Sequence, residues 1–286
     1  MSTEARGCIT IRNAAVVFDA EGGGIEAVRG VSMDVEPGQF VSLIGPSGCG
    51  KSTLLNMVAG FVHPSDGKVL VDGEPIRGPG SDRGVVFQQY SLFPWLSVRK
   101  NVEFGLKMRG VSAADREPAA RTLLGLAGLL AFENHYPDQL SGGMKQRVGI
   151  VRALATNPQV LLMDEPFGAL DSQTRVVMQE ILTNMWQQFR ISVLFITHDI
   201  EEAIFLSDKI YVMTARPGRI KAEITVPLAR PRTAEMTSSL PFMDMVHRLK
   251  ALIREESLAA MGTELREGGL TGFSMPVGPE GVSNVL

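Results

Sequence analysis

Short apolar runs broken by turn chemistry open the chain. Ile9-Thr10-Ile11 and Ala14-Ala15-Val16-Val17-Phe18 are rich in β-branched residues and read as strands, and Asp19-Ala20-Glu21-Gly22-Gly23-Gly24 then breaks the pattern as a turn. Pro37-Gly38 marks another turn, and Phe40-Val41-Ser42-Leu43-Ile44 after it reads as a short buried strand. Glycines follow, and residues 53–59 then have a helical look. Two further apolar runs, Val160-Leu161-Leu162-Met163 and Ile191-Ser192-Val193-Leu194-Phe195-Ile196, suit parallel strands covered on both faces. Between the first and second of these core strands, residues 98–155 read as mostly helical. Three core strands separated by helices predict an α/β fold: a mainly parallel, doubly wound sheet with an inserted α-helical subdomain. The N-terminal strands form a separate antiparallel β part.

After Pro227 the character changes. Pro227, Pro231 and Pro241 punctuate a linker, and Phe242, Met245, Val246, Leu249, Leu252 and Ile253 then fall on one helical face. The expected organisation is one α/β domain over residues 1–230 with its helical subdomain at about 90–157. A linker and helix follow over 231–264, the helix packing on its own domain or on a second copy. Glycine, proline and serine in residues 265–286 predict a flexible tail.

Composition narrows the class. Of 286 residues 44% are hydrophobic and 21% charged, as in a soluble globular protein. Twenty-eight basic against 31 acidic residues leave a net charge of −3, without the basic field of a dedicated nucleic-acid binder. Two cysteines, Cys8 and Cys49, are too few for a disulfide framework and point to a reducing compartment. The first six residues are polar with no apolar signal region after them, and the longest low-polarity run, residues 123–132, is about half the ~20 residues a membrane-spanning helix needs. A membrane role must be borrowed from a partner.

The strongest chemical signal is Gly45-Pro46-Ser47-Gly48-Cys49-Gly50-Lys51-Ser52, followed by Thr53. Its glycines let backbone N–H groups converge on phosphate oxygens. Lys51 can reach the terminal phosphates and Ser52 can offer its hydroxyl to Mg²⁺. A predicted strand before the loop and a predicted helix after it supply the confirming context. Asp164-Glu165 closes the second core strand. Two adjacent carboxylates at a strand end repel unless a cation or a raised pKa relieves them, which assigns Asp164 to the metal and Glu165 to the attacking water. Cys49 has no catalytic role here; neighbouring N–H groups would favour its thiolate if it is accessible, so alkylation is expected to block turnover.

Leu140-Ser141-Gly142-Gly143-Met144-Lys145-Gln146-Arg147 opens a helix 23 positions ahead of Asp164, counted from Ser141. As an isolated feature it would be an N-cap. It is similar to the LSGGQ signature of ATP-binding cassette proteins, with Met144 where glutamine is commonest. From about residue 8 to 230 the chain therefore resembles an ABC transporter ATPase subunit. The resemblance implies that Gln88, in Val86-Phe87-Gln88-Gln89, senses the γ-phosphate and metal and contacts a membrane subunit. It implies that Asp171, in Ala169-Leu170-Asp171, acts across a dimer and that His198, in Ile196-Thr197-His198-Asp199, holds the γ-phosphate. Catalysis would then fall to Glu165, His198, Gln88 and Lys51, with the metal on Ser52, Gln88 and Asp164. The family usually stacks adenine on a tyrosine. Phe18 stands at the matching place and keeps the aromatic face, a plain core phenylalanine being the alternative, and Val28 is a weaker candidate for the same pocket.

The resemblance also implies ATP and Mg²⁺ as cofactors. Two copies would face head to tail, with each ATP between one copy's phosphate loop and Ser141, Gly142 and Gly143 of the other. A single cassette without fused membrane helices or long insertions resembles an importer subunit on the cytoplasmic face of the membrane. Its partners would be two transmembrane permease subunits and, indirectly, a substrate-binding protein, with no nucleic acid. Phe93-Pro94-Trp95-Leu96-Ser97-Val98, Asn101-Val102 and Ala215-Arg216-Pro217-Gly218-Arg219-Ile220 look like the nitrate, sulfonate and taurine branch. A soluble cassette ATPase acting outside membrane transport is the alternative.

Overall fold

The computed structural model describes residues 6–19 and 23–267, with side chains described through residue 260. Residues 20–22 of the expected turn and 268–286 of the expected tail lie outside the described residues. The two N-terminal runs join into one strand, β1 (Ile9–Phe18), rather than forming two. Asn13, at φ 49°, and register shifts after Ile11 and Ala14 bend the strand between them without ending it. An antiparallel partner that the sequence reading passed over, β2 (Ile25–Val35), lies beside it. Its alternating buried positions, Val31, Met33 and Val35, are separated by the exposed Ser32 and the half-buried Asp34, a period-two pattern diluted by Arg29-Gly30.

The strand β3 (Phe40–Ile44) is buried along its whole length and feeds α1 (Lys51–Ala59). After it come β4 (Asp66–Val71), β5 (Glu74–Pro75) and β6 (Arg83–Val86). The inserted helical part is α2 (Val98–Met108), α3 (Ala113–Leu126) and α4 (Gly142–Ala155). The chain then re-enters the sheet as β7 (Val160–Asp164), crosses by α5 (Ser172–Phe189), returns as β8 (Ser192–Ile196), and continues through α6 (Ile200–Leu206), β9 (Lys209–Met213) and β10 (Ile220–Thr225). The last element is α7 (Leu240–Glu267).

These strands make a four-stranded antiparallel sheet, β2-β1-β4-β5, and a six-stranded sheet, β10-β9-β3-β8-β7-β6. In the larger sheet only the β9–β10 pair is antiparallel, so the three expected core strands are half of it. Their apolar runs are continuous because both faces are covered. Phe40, Ile44, Leu161, Met163, Val193 and Phe195 pack towards the helical side, while Val41, Leu43, Val160, Leu162, Leu194 and Ile196 pack with α1 and the antiparallel sheet. Phe40 anchors the first of these cores, its ring edge-on to Trp186 at 5.9 Å and tilted against Phe195 at 5.6 Å. Each such ring or aliphatic chain removed from water contributes about 1.5–3 kcal/mol.

The C-terminal helix packs on its own domain, burying Phe242, Met245, Val246 and Leu249 in the helical-side core. It extends from Leu240 to Glu267, past the expected limit at 264, so residues 265–267 belong to it and not to the tail. Glu264, Leu265 and Arg266 are good helix formers and nothing in that turn stops propagation. Among the described residues no helix is long and apolar enough to cross a membrane.

Candidate active site

Parallel pairing aligns the C-terminal ends of β3, β7 and β8, with Leu43 and Asp164 both opposite Ile196. In open α/β sheets ligands bind at that edge. The loop leaving β3 curls around its own lysine. Gly48 and Gly50 adopt φ of 71° and 98°, and a Cβ on Gly50 would stand 2.8 Å from the Ala27 carbonyl oxygen on β2. The buried Lys51 ammonium donates to the carbonyls of Gly45 and Pro46, each at 2.9 Å, so the loop's N–H groups are left to face the cavity. Gly50 gives α1 no side-chain cap, which leaves the helix's first N–H groups available to an anion.

A cavity of about 410 Å³ opens over this loop. Ser47, Lys51, Ser52, Thr53 and Gln88 line it together with Asp164 and Glu165. Burial pushes the Asp164 carboxyl above the usual carboxylate range. A hydrogen bond from Ser52 pulls it back, the Glu165 charge raises it further, and Lys51 lowers it. Glu165 occupies a left-handed backbone position, φ 44°, and its N–H donates to the Ile196 carbonyl at 2.9 Å. Its Oε2 lies 3.2 Å from His198 Nδ1 and 3.5 Å from Gln88 Nε2. Four side chains from the ends of three neighbouring strands thus converge: two adjacent carboxylates at the end of β7, an imidazole after β8 and an amide after β6.

A family model described as ABC transporter matches residues 28–168, which hold the phosphate loop, Gln88, Asp164 and Glu165. A nitrate import ATP-binding protein of Synechocystis sp. is 48% identical over 244 residues, covering 83% of this chain and 92% of its own length. A taurine import ATP-binding protein of Rhizobium johnstonii is 48% identical over 252 residues, covering 86% and 96%. The chain belongs to the ABC transporter ATP-binding family. A solved cassette titled as a dimeric post-hydrolysis state bound to ADP and Pi, MJ0796, superposes with a TM-score of 0.69 at 33% identity, covering 77% of this chain and all of that one. This cassette is accordingly an ATPase of the ABC type and binds nucleotide.

Other expected site residues of the cassette lie elsewhere. Ser141 caps α4 by accepting from the Met144 N–H at 3.3 Å, and Asp171 caps α5 by accepting from the Thr174 N–H at 3.0 Å. Neither they nor Gly142 and Gly143 line the cavity. Both glycines are closely approached by side chains: a Cβ on Gly142 would meet the Tyr90 hydroxyl at 2.8 Å, and one on Gly143 the Thr174 methyl at 2.6 Å, so those side chains would have to shift. Gly45 and Pro46 serve the site from behind, through the carbonyls that hold Lys51.

Phe18 lines the cavity and is 43% exposed, which removes the core alternative. Val28 is fully buried and does not line it, whereas its neighbours Ile25 and Ala27 do. For Cys49 the condition of access is not met, which removes the basis for the expected block by alkylation. The side chain is fully buried in the core, and burial pushes its pKa up, against a smaller opposing pull from Lys51. Besides Ile25 and Ala27, one charged cavity residue escaped the sequence reading: Arg216, which had been noted only as part of a branch motif. The available signal was a cation in a proline-glycine turn after an apolar run, Ile210-Tyr211-Val212-Met213, that forms another parallel strand of the same sheet.

Proposed function

We propose that this cassette is the energy-coupling subunit of an ABC importer for a small anion of the nitrate, sulfonate or taurine kind. One observation carries the catalytic part: Glu165 Oε2 sits within reach of both His198 and Gln88, at the edge of a cavity floored by the phosphate loop. Glu165 takes a proton from water as the water oxygen bonds to the γ-phosphorus; the bond to the ADP oxygen breaks, and ADP and phosphate leave. His198 supports the γ-phosphate and keeps Glu165 oriented, and Lys51 offsets the phosphate charge. Phe18 offers its exposed ring face to adenine.

Magnesium suits the donor set on its chemistry. A partly buried carboxylate already bonded to a hydroxyl, with its proton affinity raised by burial and by Glu165, is a hard-oxygen site that a divalent cation relieves. Ser52, Gln88 and Asp164 would hold it, and bound there it neutralises charge on the phosphoryl oxygens.

Ser141, Gly142, Gly143 and Asp171 lie outside the chain's own cavity, and this supports a head-to-tail pair of copies in which they serve the partner's ATP. The dimeric cassette with ADP and Pi is a relative in which two copies assemble. The importer assignment rests on the two import ATP-binding proteins at 48% identity. It is supported by exposed aromatic side chains in the segment that carries Gln88: Phe87, whose ring stacks with that of Phe61 at 6.3 Å, and Trp95, seven positions on from Gln88 and packed on Phe93, which is 71% exposed. On this reading these side chains meet two permease subunits at the cytoplasmic face of the membrane, and a substrate-binding protein delivers the solute.

The test is capture of tagged protein from detergent-solubilised membranes of its host. A stoichiometric, very hydrophobic partner is expected, lost in Trp95→Asp. Recovery of soluble or ribosomal partners alone would overturn the importer reading and favour a cassette ATPase acting outside transport.

A further inference from the structure

The loop between β9 and β10 folds over the phosphate loop and is anchored at both ends. Gly218 bonds β2 in both directions, its N–H to the Ala27 carbonyl at 3.0 Å and its carbonyl to the Arg29 N–H at 2.9 Å. It also sits so close to the phosphate loop that a Cβ on it would stand 2.0 Å from the Cys49 carbonyl oxygen. Thr214 braces the inside of the turn, its hydroxyl accepting from the Arg219 N–H at 3.0 Å. The Ala215 N–H donates 2.8 Å to Glu256 on α7, whose other oxygen pairs with Lys221 at 2.6 Å. The Glu256 carboxylate is only 12% exposed and is close enough for its charge to be felt at Cys49.

This frame places the exposed Arg216 at the cavity rim, where its Nε donates to the Gly48 carbonyl at 3.3 Å. No carboxylate lies within ion-pair distance of it among the described residues. The charge balance of the cavity makes its position informative. Of the charged lining residues Lys51 and Arg216 are cationic and Asp164 and Glu165 anionic. Without Arg216 the wall that must receive a polyanionic phosphate chain would itself be net negative. Lys51, moreover, is already bonded to two carbonyls. A guanidinium carries several donors in a planar fork suited to phosphate oxygens, and only one of them is taken up by Gly48.

We propose that Arg216 is a further nucleotide-binding residue of this cassette, pairing with the phosphate chain, and that Glu256 on α7 is the positioning residue that holds its loop over the site. The proposal rests on the cavity being the ATP site. It also gives the C-terminal helix a part in nucleotide affinity, through one hydrogen bond to the loop and one ion pair to Lys221 on β10.

The test is equilibrium binding of Mg-ATP to the purified full-length chain. Arg216→Ala should weaken binding about 10-fold at low ionic strength, the lower end for a hydrogen bond to a charged group because the side chain is exposed. The difference should shrink in high salt, and Arg216→Lys should recover part of it, neither of which a loss of fold would produce. Glu256→Ala should weaken binding by about 3-fold in the wild-type background and have no further effect on Arg216→Ala, the mark of two residues acting through one contact. Wild-type affinity in Arg216→Ala, together with loss of binding in Lys51→Ala, would overturn the proposal while leaving the ATP site standing. Absence of Mg-ATP binding to the wild type would instead overturn the site assignment itself. An effect of Glu256→Ala that persists undiminished without Arg216 would overturn the positioning role.

Discussion

Replacing Glu165 by glutamine separates catalysis from binding at this site. The substitution keeps the side chain's shape, and its amide oxygen can still accept from His198 and Gln88, which approach Glu165 Oε2 at 3.2 and 3.5 Å. What is lost is the capacity to take a proton. A positioned base contributes roughly 10²–10⁴-fold, so the barrier should rise by about 3–5 kcal/mol. The ground state should move the other way. Glu165 lines a cavity that receives phosphate, and removing one negative charge about 4 Å from another relieves on the order of 1 kcal/mol at the solvent-screened limit, enough for ATP to bind up to about fivefold tighter. Single-turnover phosphate release at saturating Mg-ATP, paired with equilibrium binding, reads both quantities. Turnover within threefold of wild type, or binding that falls in proportion to turnover, would refute the assignment of Glu165 as the base. The backbone supplies a control. Glu165 sits at φ 44°, a conformation that costs most side chains about 1 kcal/mol and that asparagine tolerates, so Glu165→Asn should lose turnover with an unfolding midpoint no lower than wild type.

Two further outcomes follow from burial. The Glu202 carboxyl, enclosed on α6 beside Thr197, Gln179, Asp199 and Arg175, is pushed up to about 6 from an ordinary 4.5, chiefly by desolvation. Its contribution to stability is therefore complete below pH 4.5 and lost as pH rises through about 6, so Glu202→Gln should gain relative to wild type by about 2 kcal/mol between pH 4 and pH 8. Denaturant unfolding at the two pH values checks this, and an equal offset at both would sink it. Cys49 is fully buried with a raised pKa, whereas Cys8 is partly exposed. A maleimide should therefore label Cys8 and spare Cys49 with or without Mg-ATP, and mass mapping that finds rapid Cys49 labelling would show that the phosphate loop opens.

The motif residues were legible because their work is local. A phosphate loop presents consecutive N–H groups, so Gly45-Pro46-Ser47-Gly48-Cys49-Gly50-Lys51-Ser52 carries its chemistry in its own spacing, and the apolar run ahead of Asp164 marks that carboxylate as a strand end. Cys49 misled for a non-local reason. Flanking glycines suggest an open loop, but Gly218 and Val28, from segments distant in sequence, pack the neighbourhood shut. The strand β2 was missed because Arg29-Gly30 interrupts its alternation, and only pairing with β1 along nearly its whole length reveals it.

From the sequence alone came the class of chemistry, the helical insertion and the buried character of β3, β7 and β8, since spacing and periodicity are properties of contiguous residues. Tertiary structure decided which groups act together. Glu165 lies 33 positions from His198 and 77 from Gln88, and these side chains meet because parallel pairing brings their strand ends to one edge of the sheet. The same holds for Arg216, 168 positions beyond Gly48, and for Glu256, which reaches the loop at Ala215 from 41 positions further along the chain. Hydrogen bonds and charge pairing act over a few ångströms, and only the folded chain sets which residues fall within them.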